Sequence, residues 1–341
     1  MYKPRFKGSH YDMGFQYGFM LKKNGVDLSP LLKFDKKKLN LGQECLKICK
    51  EIYPEIIDEI KGMADGLELQ FLAFGTFLIT VGAFSFDVGC STFCYKENGS
   101  VYFVRNHDMF VQLKKTTESA VYRPKRGYYF LGQGDSFIGK EDGINEYGLA
   151  VGITFVAPKT IKPGLNFLMI VRMVLEKCKD VKEAIALLNK IPTLTSQCIV
   201  LADPSGELAV VEMCPEKMTV RRPSDGQKFI VATNHFNDRD MIKYDNRPAE
   251  NWYRTKERYE TVIKNLSDAE NLNSALGIEI ASGKKGFLCQ YDKKTNFDTL
   301  WSVLYDLKNL DIYRAEGNPR RAKFKKDTRL AWALSKKAKK K

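Results

Sequence analysis

Residues 88–108 read VGCSTFCYKENGSVYFVRNHD. A small Gly-Cys-Ser-Thr turn, a short polar loop and the strand-like SVYFV run lead to Arg105, Asn106, His107 and Asp108. If that strand folds back beside Cys90, Arg105 brings a guanidinium to the thiol and favours its charged form. Asp108 lies three residues further along, and from the residues alone the Arg105–Asp108 pair reads first as a structural ion pair. Cys90 itself has two readings. Free cysteines are commonly buried small hydrophobes; the other reading is a nucleophile whose charge partners arrive on the next strand.

Working outward, the 341 residues suffice for one large core or two modest ones. A hydrophobic fraction of 44% and a charged fraction of 28% are those of a folded protein, which excludes disorder throughout. The formal charge of +14 comes from 55 basic against 41 acidic residues. Part of it sits in the terminal ALSKKAKKK, expected to be a flexible, solvated tail. No zinc-finger spacing and no basic stripe interleaved with aromatics appears, so nucleic-acid binding is not expected. Eight scattered cysteines and a polar start, MYKPRFKGSHYDMGF, predict reduced thiols in a cytoplasmic protein without a secretory leader. The uncharged run Phe71–Phe86 is shorter than the roughly 18–20 residues that cross a bilayer. It is expected to be a buried helix passing into a core strand, with no integral membrane association.

Helical spacing predicts a helix over Tyr11–Lys23 and another over Pro54–Ala64, with proline in its first turn and Gly66 as its stop. After Cys90 the texture turns to strands: SVYFV, YYFLG, then DGINEYGLAVGITFV as a turn running into a strand. Asn166–Leu188 is helical in period with a break near Cys178–Asp180, and CIVLADPSGELAVVEM is a hairpin around an Asp-Pro-Ser-Gly turn. KFIVATNHF carries Asn234 and His235 near its end, a helical region follows from Asn251 to Leu266, and TLWSVLYDLKNLDIYRA closes the core as strands with a polar bend. This order predicts a layered α+β fold, antiparallel sheet with helices outside and no separate second domain. Gly148 and Gly152 mark either a bend or a close backbone approach to a ligand.

Histidine chemistry is the main alternative at the cysteine. The three histidines, His10, His107 and His235, have no metal-binding spacing, and no metal is expected. A Cys90–His235–Asp108 triad stays open, since triads are assembled in space.

Taken together, these residues resemble the linear amide C–N hydrolase and acyltransferase group of N-terminal-nucleophile (Ntn) hydrolases. The likeness is to the isopenicillin N acyltransferase branch, related to choloylglycine hydrolase, penicillin V acylase and acid ceramidase. It runs from about Gly8 to Pro319, through GSHYDMGFQYG, YPEIIDEIKGMADG, GCSTF, the Arg-x-x-Asp of RNHD, VATNHF, NWYRTKERY and TLWSVLYDLKN. It implies a four-layer αββα sandwich, with Cys90 as nucleophile and Gly89–Cys90 as the bond of self-cleavage. Residues 1–89 become a helical propeptide or small subunit, co-folded and still associated with a catalytic region 90–341 that ends in the basic tail, one structural domain overall. Arg105 is then the arginine beside the thiol, Asp108 the holder of the new α-amine, Asn234 an oxyanion-hole donor and Arg254 the late active-site arginine, with Arg258 as its alternative. Asn145, Thr154, His235 and Arg258 are candidate pocket residues. Thr154 departs from the pattern: relatives that cleave bile salts carry asparagine there, which sets this chain apart from them.

An N-terminal nucleophile needs no histidine, because its own α-amine, with an ordinary pKa of about 8, serves as base once the preceding residue is removed. The implied activity is cleavage of a linear amide, or transfer of its acyl group to an amine, through a thioester. The alternative is a catalytically silent homologue acting as a binding or scaffold protein. Substrates are small N-acyl amides or amines. No cofactor is required, coenzyme A thioesters are the implied donors for acyl transfer, and homo-oligomerisation is left open.

Overall fold

A computed structural model describes residues 1–83, 89–247 and 251–338. Strand β1 (Arg5–Gly8) precedes four helices, α1 (His10–Lys23), α2 (Lys36–Ile52), α3 (Pro54–Leu67) and α4 (Phe71–Ile79). Six strands follow: β2 (Gly89–Glu97), β3 (Ser100–Phe110), β4 (Glu118–Pro124), β5 (Phe130–Gly134), β6 (Asp142–Asn145) and β7 (Ala150–Val156). Helices α5 (Phe167–Lys177) and α6 (Val181–Leu188) lead to β8 (Ser196–Ala202), β9 (Leu208–Met213), β10 (Met218–Arg221) and β11 (Phe229–Ala232). The chain ends through α7 (Thr255–Ser267), α8 (Ser274–Ala281), β12 (Phe297–Asp306), β13 (Asp311–Glu316), β14 (Lys325–Lys326) and α9 (Arg329–Ala338).

Two sheets result, one ordered β1-β4-β5-β6-β7-β8-β9-β10 and the other β11-β2-β3-β12-β13-β14. The β1–β4 pair is parallel and the others are antiparallel. The sheets face each other closely at Gly152 on β7, where an added Cβ would lie 2.8 Å from Phe103 Cζ and 3.0 Å from Arg105 Cδ. The close approach at Gly152 is to side chains of the facing sheet rather than to a ligand. Helices α5 and α6 cover the larger sheet. Helices α7 and α8 cover the smaller one through Phe93, Val104, Val262, Ile280 and Leu304. The layering is αββα, as the resemblance implied.

The β2–β3 hairpin fixes the position of the site. Cys90 stands opposite His107, Thr92 opposite Arg105 and Gly89 opposite Asp108. The Gly-Cys-Ser-Thr residues, expected as a turn, are instead the first residues of β2, and the turn is at Asn98–Gly99, both with positive φ. Side chains alternate along a strand. Cys90, Cys94, Phe103, Arg105 and His107 therefore point between the sheets, while Phe93, Val104, Asn106 and Asp108 point toward α7 and α8.

Other expectations are corrected in detail. Gly66 does not stop α3; the helix continues to Leu67 and ends on Glu68 at φ 56°. Gly66 instead belongs to a close helix crossing. Added Cβ atoms at Gly14 and Gly18 of α1 would meet the carbonyls of Glu59 and Met63, and those at Gly62 and Gly66 of α3 the carbonyls of Tyr11 and Phe15, all within 2.5 Å. A Gly62→Val variant is expected to lose ~3 kcal/mol or more, because backbone rather than a flexible side chain must give way. A urea midpoint equal to wild type would refute that reading.

The basic tail is not free up to Ala338. It forms α9, Trp332 is flanked by Arg5 and Arg123, and Lys337 pairs with Glu146. Residues 339–341 lie outside the described residues, as do Phe84–Phe86 of the uncharged run, whose helix ends at Ile79. Among the described residues no helix is long and apolar enough to cross a membrane. The eight cysteines are free and buried.

Candidate active site

Cys90 is 1% exposed, at the second position of β2. Arg105 Nη2 donates to its Sγ at 3.2 Å, and His107 Nδ1 lies 3.9 Å from the same sulfur. Arg105 is held on three sides. Its Nη2 reaches Glu141 Oε2 at 2.9 Å, its Nη1 reaches Asp142 Oδ2 at 2.9 Å, and its Nε donates to the Ile153 carbonyl at 3.0 Å. Asp142 also accepts from Trp301 Nε1 and Tyr305 Oη, at 2.9 and 2.7 Å. Burial pushes the Cys90 thiol up to about 12 against the pull of Arg105, so it is a neutral S–H.

The main chain of Cys90 is gripped as firmly as its side chain. Its N–H donates to Asn234 Oδ1 at 2.7 Å, and its carbonyl accepts from Arg258 Nη1 at 2.6 Å. Arg258 also donates to Asn234 Oδ1 and Ser91 Oγ, at 2.8 and 2.9 Å. Asn234 Nδ2 is committed to the Phe155 carbonyl at 2.9 Å. Two N–H donors on one side and a carbonyl on the other fix the amide orientation. Asn234 thus presents an acceptor to Cys90, not the oxyanion donor expected of it.

Asp108 lies on the other face of β3 from Arg105, and its partners are Thr299 Oγ1 at 2.6 Å and Tyr291 Oη at 3.0 Å. The expected Arg105–Asp108 ion pair is therefore not formed. Burial raises Asp108 to about 6, with Arg258 the main opposing charge. An added Cβ on Gly89 would lie 3.2 Å from Asp108 Cβ and from the Phe297 ring, a tight fit that those side chains would have to yield to.

The remaining sequence candidates divide. Arg258, the alternative, is at Cys90. Arg254, the preferred one, is not: half-exposed before the first turn of α7 at φ 52°, it pairs with Glu257 and stacks on Phe287. His235 Nδ1 sits 3.0 Å from the hydroxyls of Thr233 and Thr255, and burial with nearby arginines pulls it down to about 3, so the Cys90–His235–Asp108 triad does not exist. Thr154 donates to the Thr233 carbonyl at 2.6 Å, beneath Asn234. Asn145 is a structural residue. It bridges the carbonyls of Leu175 and Cys178 to the N–H groups of Tyr147 and Leu149, fastening α5 to the β6–β7 turn.

Glu141, Asp142, Asp135 and Trp301 were not anticipated; the available signal was the pair of acids at the foot of a strand. Cys90, His107 and Glu141 have donor atoms within 4.8 Å of one another, a spacing that can hold a metal ion. Arg105 Nη2, however, touches all three, at 3.2, 3.3 and 2.9 Å, so a cation already lies at the centre of that cluster.

Comparison with known proteins bears on the family and the fold. The family model described as acyl-coenzyme A:6-aminopenicillanic acid acyl-transferase matches residues 94–321. Among solved structures, penicillin V acylase from Agrobacterium tumefaciens is similar at a TM-score of 0.50 and 21% identity, over 67% of this chain and 83% of that one. A mutant conjugated bile acid hydrolase from Clostridium perfringens is similar at 0.47 and 16%, over 70% and 96%. No curated protein sequence matches. The first likeness shows the fold.

Proposed function

The chain belongs to the acyl-coenzyme A:6-aminopenicillanic acid acyl-transferase family, and from that premise we propose a self-processing enzyme of linear amides with Cys90 as nucleophile. One observation carries the reading: both the thiol and the main chain of Cys90 are clamped by buried polar groups that a packing cysteine would not need. Cleavage before Cys90 turns its N–H into an α-amine already seated on Asn234 Oδ1. That amine, with an ordinary pKa of about 8, takes the thiol proton. The sulfur attacks the amide carbonyl, the amine departs and a thioester remains, to be hydrolysed by water or passed to a second amine. Arg105 favours the thiolate, and Arg258 holds the Cys90 carbonyl. For Asn234 to stabilise the oxyanion, its amide has to turn from the uncut arrangement. Because Sγ is buried, substrate access follows cleavage.

Intact-mass measurement and N-terminal sequencing are expected to find fragments 1–89 and 90–341, the larger beginning CSTFCYK. In a panel of N-acyl amines, adding hydroxylamine is expected to divert product from free acid to hydroxamate. With coenzyme A thioesters as donors, the same trap reads acyl transfer. An uncut chain that nevertheless turns over an amide would sink the α-amine mechanism. An uncut chain without turnover on any substrate would favour a silent binding protein.

A further inference from the structure

The α-amine mechanism does not explain the first cut, because before it the Cys90 nitrogen is an amide and cannot act as a base. Yet the thiol is a buried neutral S–H that must lose its proton to attack. His107 faces it from the opposite strand position, with Nδ1 3.9 Å from Sγ. The tautomer follows from obligate partners. Nδ1 meets Arg105 Nη2, which only donates, at 3.3 Å, and Nε2 meets Asp135 Oδ2 at 3.1 Å. Nε2 therefore carries the proton, and the Nδ1 lone pair is left as the acceptor shared by Arg105 Nη2 and, at longer range, the thiol. The ring lies flat on Trp301, centroids 3.8 Å apart, which fixes its plane. Thiol, imidazole and carboxylate stand in line, the arrangement of a nucleophile, its base and the group that orients the base.

We propose that His107 is the base that takes the Cys90 thiol proton in the uncut chain, an inference that rests on self-cleavage at Gly89–Cys90. Nδ1 accepts the proton, and Sγ bonds to the Gly89 carbonyl carbon. The Gly89–Cys90 C–N bond breaks, and the imidazolium returns its proton to the departing nitrogen. The result is a Gly89 thioester on Cys90 Sγ and a free α-amine. Water adds OH to the Gly89 carbonyl carbon and a proton to sulfur as the C–S bond breaks, restoring the thiol, and the Gly89 carboxylic acid gives its proton to the free α-amine, leaving a carboxylate. Asp135 steadies the imidazolium and Arg105 the thiolate. Once the α-amine exists, the base is duplicated.

The groups facing His107 are Cys90 from β2, Arg105 from its own strand, Asp135 beyond β5, Glu141 at 3.8 Å and Asp142 at the start of β6, with Trp301 of β12 carrying the ring. Burial, then Arg105, lowers His107, with Asp135 opposing, which favours the neutral, proton-accepting imidazole. Burial raises Glu141 to about 8, so it also titrates in the working range and has to be separated.

The test refolds the denatured uncut chain at pH 5–9 and follows cleavage by intact mass. Wild type is expected to show a rate that rises through one titration and then levels, whereas a thiol acting alone would climb with hydroxide throughout. His107→Gln is expected to cut about 10²-fold or more slowly and to lose the level region. Should that variant misfold, 4-fluorohistidine supplies an isosteric, less basic ring. It is expected to move the titration to lower pH and slow the plateau, whereas a titration owned by Glu141 would stay in place. A His107→Gln variant that cuts at the wild-type rate, or a profile unmoved by fluorination, overturns the role of His107 while self-cleavage stands. Wild type that stays whole overturns self-cleavage itself.

Discussion

Replacing Cys90 by alanine is expected to leave one uncut 341-residue chain with no turnover of any N-acyl amide. Removing a covalent nucleophile costs on the order of 10⁶-fold in rate, which places the variant at background. The fold should survive. The substitution deletes one sulfur from a site 1% exposed, and Arg105 keeps Glu141, Asp142 and the Ile153 carbonyl as partners. The Cys90 main chain keeps Asn234 and Arg258, neither of which touches the sulfur. Thermal melting within a few degrees of wild type, beside an uncut mass and no activity, is the expected set of results. An alanine variant that still yields 1–89 and 90–341 would place the cleavage chemistry on another residue or on a contaminating protease.

What the sequence revealed and what it hid have the same physical origin. The strands were legible because alternation and turn residues mark them locally, and a layered α+β fold followed; the αββα order came from the resemblance. The Arg-x-x-Asp spacing was legible as a motif but not as geometry. In a strand of period two, a separation of three sends the two side chains to opposite faces, so Arg105 meets the thiol and Asp108 meets the residue before it. The counter-charges of Arg105 come from the first residue of β6 and the residue before it, in the other sheet, brought in by a face-to-face packing that no local pattern records.

The choice between Arg254 and Arg258 was readable and was misread. Thr255, Arg258, Val262 and Leu266 form one buried stripe on α7 at helical spacing, whereas Arg254 precedes the helix. A buried arginine on the apolar stripe, rather than the first one of NWYRTKERY, is the residue that reaches the core. Gly66 was misread for the opposite reason. A glycine near a helix end suits a stop, but Gly14–Gly18 and Gly62–Gly66 recur at four-residue spacing, which is the mark of two helices in backbone contact.

The second large effect is expected at Arg172, which holds the early helices to the later sheet. Its guanidinium bonds Glu59 of α3 at 2.7 Å and Glu176 one turn along α5 at 2.8 Å. Glu176 also meets His10 of α1 at 3.0 Å and the Tyr53 hydroxyl. His10, Tyr53 and Glu59 precede the proposed cut and Arg172 and Glu176 follow it, so this buried network is what two separate chains would share. Arg172→Met leaves two carboxylates without their cation, a change expected to cost about 3–5 kcal/mol.

The pH dependence gives the sign. In wild type, although burial opposes it, Arg172 with His10 and Tyr53 depresses Glu176 to about 2. That group therefore contributes stability above its ordinary value of about 4.5, which is lost as pH falls toward 2. Burial already raises Glu59 even beside Arg172. Without the guanidinium both carboxyls move up, and the folded variant holds protons more tightly than the unfolded chain. Its stability then falls as pH rises, so the gap between variant and wild type widens from pH 4 to pH 7. Urea midpoints at the two pH values measure it, and gel filtration in mild urea should show fragment 1–89 leaving the variant first. A gap that is constant or narrows with pH would mean that Arg172 packs against Tyr122, over whose ring it lies at 3.8 Å, without acting as the counter-charge. Leucine at Glu59 and methionine at Glu176, added to Arg172→Met, should then restore most of the loss only if charge was its cause.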